Sequence, residues 1–396
     1  MTDHERIQRI ARRPINRRGF LSLMGASAGA AALAACTGPA GSARPSGAAS
    51  VAPSASAGGS APAASFEIES ELLTYNWSDY VSDKNVAEFK KRTGLENFGY
   101  DIFASNEELL AKLQGGATGY DIACPTAEYV AGMAEEGFVQ ELDASRLPNL
   151  KYINPTFMGT AWDPENKWIV PKDYGTTGIM YRKKLVPEPV TSWKELYELT
   201  KGKYSGKTVM VDSMGDVFPF PLKMLGYSLN DNDPAHLKEA GDILLELAPH
   251  VHSLDSDTYQ VKLANEEAVL CLGWTGPILD LRADPATADT AYVVPSEGTL
   301  YWMDTWVMLA DAPHPNASYA WLDFIHEPAI QAEETINNGY ATPNDEAKKL
   351  VPEEILNDQA IFPPDDVIAN LEGSLDHSGN TQRIDIWAEF KSKIGG

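Results

Sequence analysis

The chain has 396 residues, 32 Lys and Arg against 56 Asp and Glu, a formal net charge of −24, and 43% hydrophobic residues. That length holds two domains with sizeable cores, and that apolar content is not the composition of a disordered chain. The acidic balance argues against nucleic acid as the main partner, since phosphate binding needs a basic surface, and it permits a cationic ligand without selecting one.

The charge is unevenly spread. Residues 1–35 hold six arginines against Asp3 and Glu5, a net of +4 that leaves −28 on the rest. A basic stretch over 1–18 is followed by an apolar run from Phe20 to Ala35, too short to span a bilayer comfortably and shaped like a secretory signal. Asn16-Arg17-Arg18-Gly19-Phe20-Leu21 resembles the twin-arginine export motif. Leu33-Ala34-Ala35-Cys36 resembles a bacterial lipobox, which implies cleavage before Cys36, its lipidation, and anchoring on the outer face of a membrane. Residues 37–65 are nearly all Ala, Ser, Gly or Pro and read as a flexible tether.

From residue 66 onward the chain reads as alternating strands and helices. Strands are expected at 71–75, 98–103 and 121–124. Helices are expected from Ser82 to Thr93, from Ser105 to Leu113 and from Thr126 to Glu136, each with a cap or a glycine stop. The pattern changes at 168–174 and then restarts. Helices follow at 192–201, 218–225, 234–248, 317–325, 328–337 and 382–393, with strands at 208–211, 269–274, 291–295 and 305–309. This order predicts an α/β fold of two lobes joined by more than one crossing, with ligand at strand ends in the cleft between them. Cys124 and Cys271 sit in apolar runs assigned to different lobes and read as buried core thiols.

Catalytic constellations are missing. There is no His-Glu-x-x-His and no Gly-x-Ser-x-Gly. His250 and His252 near Asp255 and Asp257 read as a solvated loop, and no metal or cofactor is expected. Gly202-x-x-x-Gly206-Lys207-Thr208 is one residue short of a phosphate loop and precedes a strand. What recurs at the expected strand ends is aromatic residues with carboxylates. These are Trp77-Ser78-Asp79-Tyr80, Thr126 with Glu128, Asp212-Ser213 with Asp216, Trp274, Tyr301-Trp302-Met303-Asp304, and Gly339-Tyr340. No lysine or arginine interrupts these short motifs. Carboxylates pair with ammonium groups, and aromatic faces attract cations and cover methylene chains.

Tyr75-Asn76-Trp77-Ser78-Asp79-Tyr80-Val81 closely resembles the opening strand of bacterial polyamine-binding proteins, the spermidine/putrescine receptors of ABC importers. Ser105-Asn106-Glu107, Thr191-Ser192-Trp193, Trp302-Met303-Asp304 and Gly339-Tyr340-x-Thr342-Pro343-Asn344 extend the resemblance over essentially all of the chain beyond the tether. It implies the type II periplasmic-binding fold, no catalysis, a polyamine ligand, a membrane permease as partner, and a monomer. Trp77, Trp274 and Trp302 would line the alkyl chain, with Tyr80 and Tyr340 as walls. Asp304, Asp216 and Asp79 would take amines, and Thr126 matches a polar serine position. Two departures stand out. Ser213 sits where the spermidine type has an aspartate, and Glu128 where it has a tyrosine, so the choice among putrescine, spermidine and a related cation stays open. The lobes are expected at 66–175 with 303–348, and at 176–302 with 349–396. Another organic cation on the same fold, or a surface hydrolase using Asp212 and Asp216, is the alternative reading.

Overall fold

The computed structural model describes residues 66–395. The expected export signal, the expected lipidation at Cys36 and the expected tether fall in 1–65, outside the described residues. Strand β1 (Glu71–Asn76) pairs in parallel with β2 (Asn97–Ile102) on one side and β3 (Ile122–Ala123) on the other. Helices between them carry the local signals read from the sequence. Ser82 Oγ accepts from the Lys84 N–H ahead of helix Asp83–Thr93, and Gly94 closes that helix at φ 79°. Ser105 caps helix Asn106–Gln114 in the same way, through the Glu108 N–H.

A 13-residue strand, β4 (Val170–Arg182), organises the rest and is buried almost throughout. Its first half pairs antiparallel with β9 (Leu300–Met308), from Val170 opposite Trp306 to Thr176 opposite Tyr301. Its second half pairs antiparallel with β7 (Leu270–Trp274), from Thr177 opposite Trp274 to Tyr181 opposite Leu270, and with β8 (Thr290–Val293). The strand therefore changes partners between Thr176 and Thr177. Beyond β7 lie β5 (Thr208–Met210) and β6 (Val251–Leu254), both parallel additions. β10 (Glu372–Gly373) joins β9. The sheet path is β2-β1-β3-β9-β4-β7-β5-β6. Burial of large side chains is concentrated on either side of this change of partners. Trp306, Trp321 and Phe89 belong to the core under β1 and β9, and Trp193, Phe218, Phe220 and Phe390 to the core around β5 and β7. Each such side chain contributes roughly 1.5–3 kcal/mol on burial. Cys124 lies in the first core and Cys271 in the second, both buried and free.

Several elements differ from the sequence reading. β4 was expected only as a change of pattern, because Lys172, Asp173, Thr176 and Thr177 break the apolar run although all four are buried. β9 begins five residues earlier than expected. Residues 126–136 form a tight 3₁₀ turn, Ala127–Tyr129, before helix Val130–Glu135. The helix expected at 218–225 is two short ones, Met214–Val217 and Pro219–Met224, with Pro219 opening the second. Among the described residues, no helix is long and apolar enough to cross a membrane.

Candidate binding site

In the half of β4 that pairs with β9, a register shift between Pro171 and Asp173 leaves Asp173 directly opposite Asp304. Like charges in register repel, so the surroundings must answer them. The Tyr80 hydroxyl lies between the two, 2.5 Å from Asp173 Oδ1 and 2.6 Å from Asp304 Oδ2. The other Asp173 oxygen is 2.5 Å from Lys172 Nζ and accepts from Asn338 Nδ2 at 3.2 Å. Lys172 is fully buried, and its ammonium sits 3.5 Å from the centre of the Tyr80 ring, a cation–π contact. Burial opposes its charge, but Asp173 and other anionic neighbours outweigh that and hold its pKa raised.

Burial, then Asp173, push the Asp304 carboxyl up to about 7, against hydrogen bonds from Tyr80 and Thr126 and the charge of Lys172. Glu334 is also pushed up to about 7 by burial, although Lys172 and bonds from Asn85 Nδ2 at 2.6 Å and the Ser82 N–H at 3.1 Å favour its charge. This cluster holds more carboxylate than cation. A phenol has one proton, so Tyr80 can donate to only one of its two acidic neighbours, and the other short contact requires a second proton or a cation.

The walls are aromatic. Tyr80 and Trp302 both meet Tyr340 edge-on, at ring-centre distances of 5.5 and 5.1 Å. Trp77 and Trp274 form a second edge-on pair at 5.7 Å. Each indole of that pair is fixed by its N–H: Trp77 donates to the Cys124 carbonyl at 2.8 Å, and Trp274 to Asp216 Oδ1 at 2.9 Å. Thr177 Oγ1 also donates to Asp216, at 2.5 Å, and Ser213 bonds the same carboxylate. Burial still raises the Asp216 pKa against these bonds. Two glycines make room for the walls. A Cβ at Gly175 would stand 2.6 Å from the Trp302 ring, and one at Gly276 would stand 2.5 Å from the Tyr340 ring.

The structure therefore gathers Tyr80, Thr126, Trp302, Asp304 and Tyr340 at one centre, and Trp77, Ser213, Asp216 and Trp274 at a neighbouring one. Thr126 bridges to Asp304 across the backbone and is held by Asn106, whose amide bonds both its hydroxyl and its N–H. Glu128 is buried in the following turn. Ser78 is half-buried, and Asp79 is exposed at φ 53°, in the left-handed turn that brings Tyr80 inward. Tyr100 pins that turn by donating to the Trp77 carbonyl at 2.6 Å and accepting from the Tyr80 N–H at 3.3 Å.

Two expectations about placement need correction. Trp302 and Asp304 lie inside β9, not beyond a strand end, and Tyr340 follows the C-cap of helix Pro328–Asn338. The strand-end rule holds for Trp77, Thr126 and Asp216. No lysine interrupts the motifs in sequence, but Lys172 of β4 reaches them in space, over the Tyr80 ring and against Asp173. Lys172, Asp173, Asn106, Thr177 and Glu334 were missed. The available signal was a Lys-Asp pair flanked by apolar residues, Ile169-Val170-Pro171-Lys172-Asp173-Tyr174, where a solvated loop would not need such flanks.

Residues 84–363 match the family model described as bacterial extracellular solute-binding protein. The chain belongs to this family. It is similar to the spermidine/putrescine-binding periplasmic protein of Escherichia coli K12, 33% identical over 336 residues, which cover 84% of this chain and 93% of that protein. It is 34% identical over 319 residues to the putrescine-binding periplasmic protein PotF of the same organism, covering 76% of this chain and 86% of the relative. Among solved structures it resembles the spermidine/putrescine ABC transporter substrate-binding protein PotD of Streptococcus pneumoniae. That match has a TM-score of 0.68 and 30% identity, over 82% of this chain and 99% of that one. The fold is the two-lobe type II periplasmic-binding fold, and the family is one of exported solute-binding proteins, not of enzymes.

Proposed function

We propose that this solute-binding protein is the receptor component of an ABC importer and that its ligand is a polyamine, putrescine or spermidine. The observation that carries the ligand class is the excess of buried carboxylate over cation around Tyr80, enclosed by Trp302 and Tyr340. An ammonium from the ligand supplies the missing positive charge beside Asp304, and the aromatic rings cover the methylene chain. Trp77 and Trp274 guide the chain toward Asp216, and Thr126, Ser213 and Ser78 offer hydroxyls. Asp79, at the cleft rim, attracts the cation.

We take the lobes as 66–175 with 303–348 and 176–302 with 349–396, moving about the β4 and β9 crossings. Asp304 and Asp216 then stand on opposite lobes, and a dication between them favours the closed form, which is the form a permease reads. The anchor is part of the same proposal. Export by the twin-arginine route, lipidation at Cys36 and the tether place a monomeric receptor on the outer face of the cytoplasmic membrane, within reach of its permease. Mass spectrometry of the mature protein is expected to find an acylated Cys36 as its first residue, and an N-terminus elsewhere refutes the anchor. For the ligand, Asp304→Asn is expected to weaken polyamine binding by about 2–5 kcal/mol, the range for truncating one member of a buried charge pair. Unchanged affinity by calorimetry would place Asp304 outside the clamp.

A further inference from the structure

His326 sits between helices Pro315–Phe324 and Pro328–Asn338 and is fully buried. Its ring meets two oxygens. Nδ1 lies 2.7 Å from the Leu322 carbonyl, and Nε2 lies 2.7 Å from the Pro171 carbonyl. A backbone carbonyl only accepts, so both ring nitrogens must donate, and a neutral imidazole has a single N–H. Its other nitrogen would set a lone pair against a carbonyl lone pair. Turning the ring over offers no escape, because carbon would then face both oxygens. Only the imidazolium satisfies both contacts.

Burial lowers the His326 pKa, and the charge of Lys172 adds to that, against the bonds to Pro171 and Leu322. The geometry outweighs the burial. A neutral ring would leave one buried carbonyl unpaired, and the Leu322 carbonyl belongs to the last turn of its helix, where the helix dipole favours a cation. Asp323 and Glu327, the acidic neighbours in the chain, are engaged by Asn149 and Arg92. Glu334, on the next helix, accepts from Ser82 and Asn85.

The Pro171 end of the contact bears on the site. The register shift between Pro171 and Asp173 leaves Lys172 without a partner in the β9 ladder. Side chains from one short segment hold the strand there instead. His326 takes the Pro171 carbonyl, Gln331 Nε2 donates to the Lys172 carbonyl at 2.7 Å, and Asn338 Nδ2 donates to Asp173 Oδ2 at 3.2 Å. Asn344 Nδ2 in turn donates to the His326 carbonyl at 2.9 Å.

We infer that His326 is a positioning residue for the ligand centre: its ring, protonated on both nitrogens at neutral pH, ties the irregular stretch of β4 to the end of helix Pro315–Phe324 and so holds Asp173 against Tyr80. Its charge faces carbonyls, and Asp173, Asp304 and Glu334 still outnumber Lys172 and His326. The inference rests on the polyamine reading only for the ligand used in its test.

Proton–nitrogen correlation spectra of the imidazole rings, on isotope-labelled wild type assigned through the backbone, read the protonation directly. Both His326 nitrogens are expected in the protonated range at pH 7. An unprotonated His326 nitrogen at that pH overturns the inference, whatever any variant does. Calorimetry with putrescine and spermidine reads the positioning. In His326→Gln one amide nitrogen replaces two separated donors, and affinity for the better-bound amine is expected to fall about tenfold or more in protein that thermal melts show to be folded. Wild-type affinity in the folded variant overturns the positioning role. A wild type that binds neither amine overturns the polyamine reading and the positioning role with it, while the spectrum still decides the protonation.

Discussion

Lowering the pH from 8 to 6 should weaken ligand binding, and the Tyr80 centre sets the size of the effect. Tyr80 lies within 2.6 Å of both Asp173 and Asp304 and has one proton to give. The second proton belongs on Asp304, whose carboxyl burial and Asp173 push up to about 7. An incoming ammonium favours the ionised carboxylate and drives that proton off. The ligand-free state therefore binds more protons than the complex, and affinity rises with pH. For one group with a pKa of about 7 that ionises fully in the complex, the loss relative to high pH is about elevenfold at pH 6 and about 1.1-fold at pH 8, roughly tenfold between them.

The other groups facing this centre are Lys172, Asp173, Glu334, Tyr340, Cys124 and Glu128. Lys172 is held charged, and Glu334 already accepts bonds from Asn85 and Ser82, so Asp304 is expected to dominate the slope. Calorimetry at pH 7 in two buffers of different ionisation enthalpy should find about half a proton released per ligand bound. Asp304→Asn should flatten the profile. An affinity that is constant from pH 6 to 8 in the wild type, or that rises on acidification, refutes the reasoning.

Two further perturbations test the scaffold around the site. Lys172→Met leaves Asp173 and Glu334 without their buried cation and is expected to cost about 3–5 kcal/mol in denaturant unfolding, as for breaking a buried ion pair from one side; a loss under about 1 kcal/mol would mean the cluster is already neutral through protonation. Gly276→Ala drives a methyl into the Tyr340 ring, whose nearest atom would stand only 2.5 Å from the new Cβ. Overpacking of this kind costs about 1–3 kcal/mol, and the variant is expected to stay folded with weakened polyamine affinity, whereas full affinity would show that Tyr340 is not a wall of the ligand's site.

Much of the fold was legible because its signals are local. Ser105 and Ser192 cap the helices they were expected to cap, Gly94 stops the first helix as expected, and the parallel opening strands follow from short apolar runs separated by helical periodicity. The failure at β4 has a physical cause. A strand buried on both faces has no alternation to read, and the one that crosses the site carries Lys172 and Asp173, polar residues that resemble a loop until their partners are known. The same cause hid part of the site. Trp77, Tyr80 and Asp304 stand in recognisable motifs, but Asp173 matters only because register puts it opposite Asp304, and Asn106 only because it holds Thr126. Pairings across 131 or 20 positions are set by the tertiary structure and leave no trace in spacing.

The central claim is that the cleft binds a polyamine through carboxylates and aromatic walls. Calorimetric titration of the purified, ligand-free protein with putrescine and with spermidine tests it most directly. Saturable binding of at least one of them, micromolar or tighter, with one site per chain and protons released at pH 7, is the predicted result. Absence of measurable binding for both, in folded protein shown to carry no prior ligand, would contradict it.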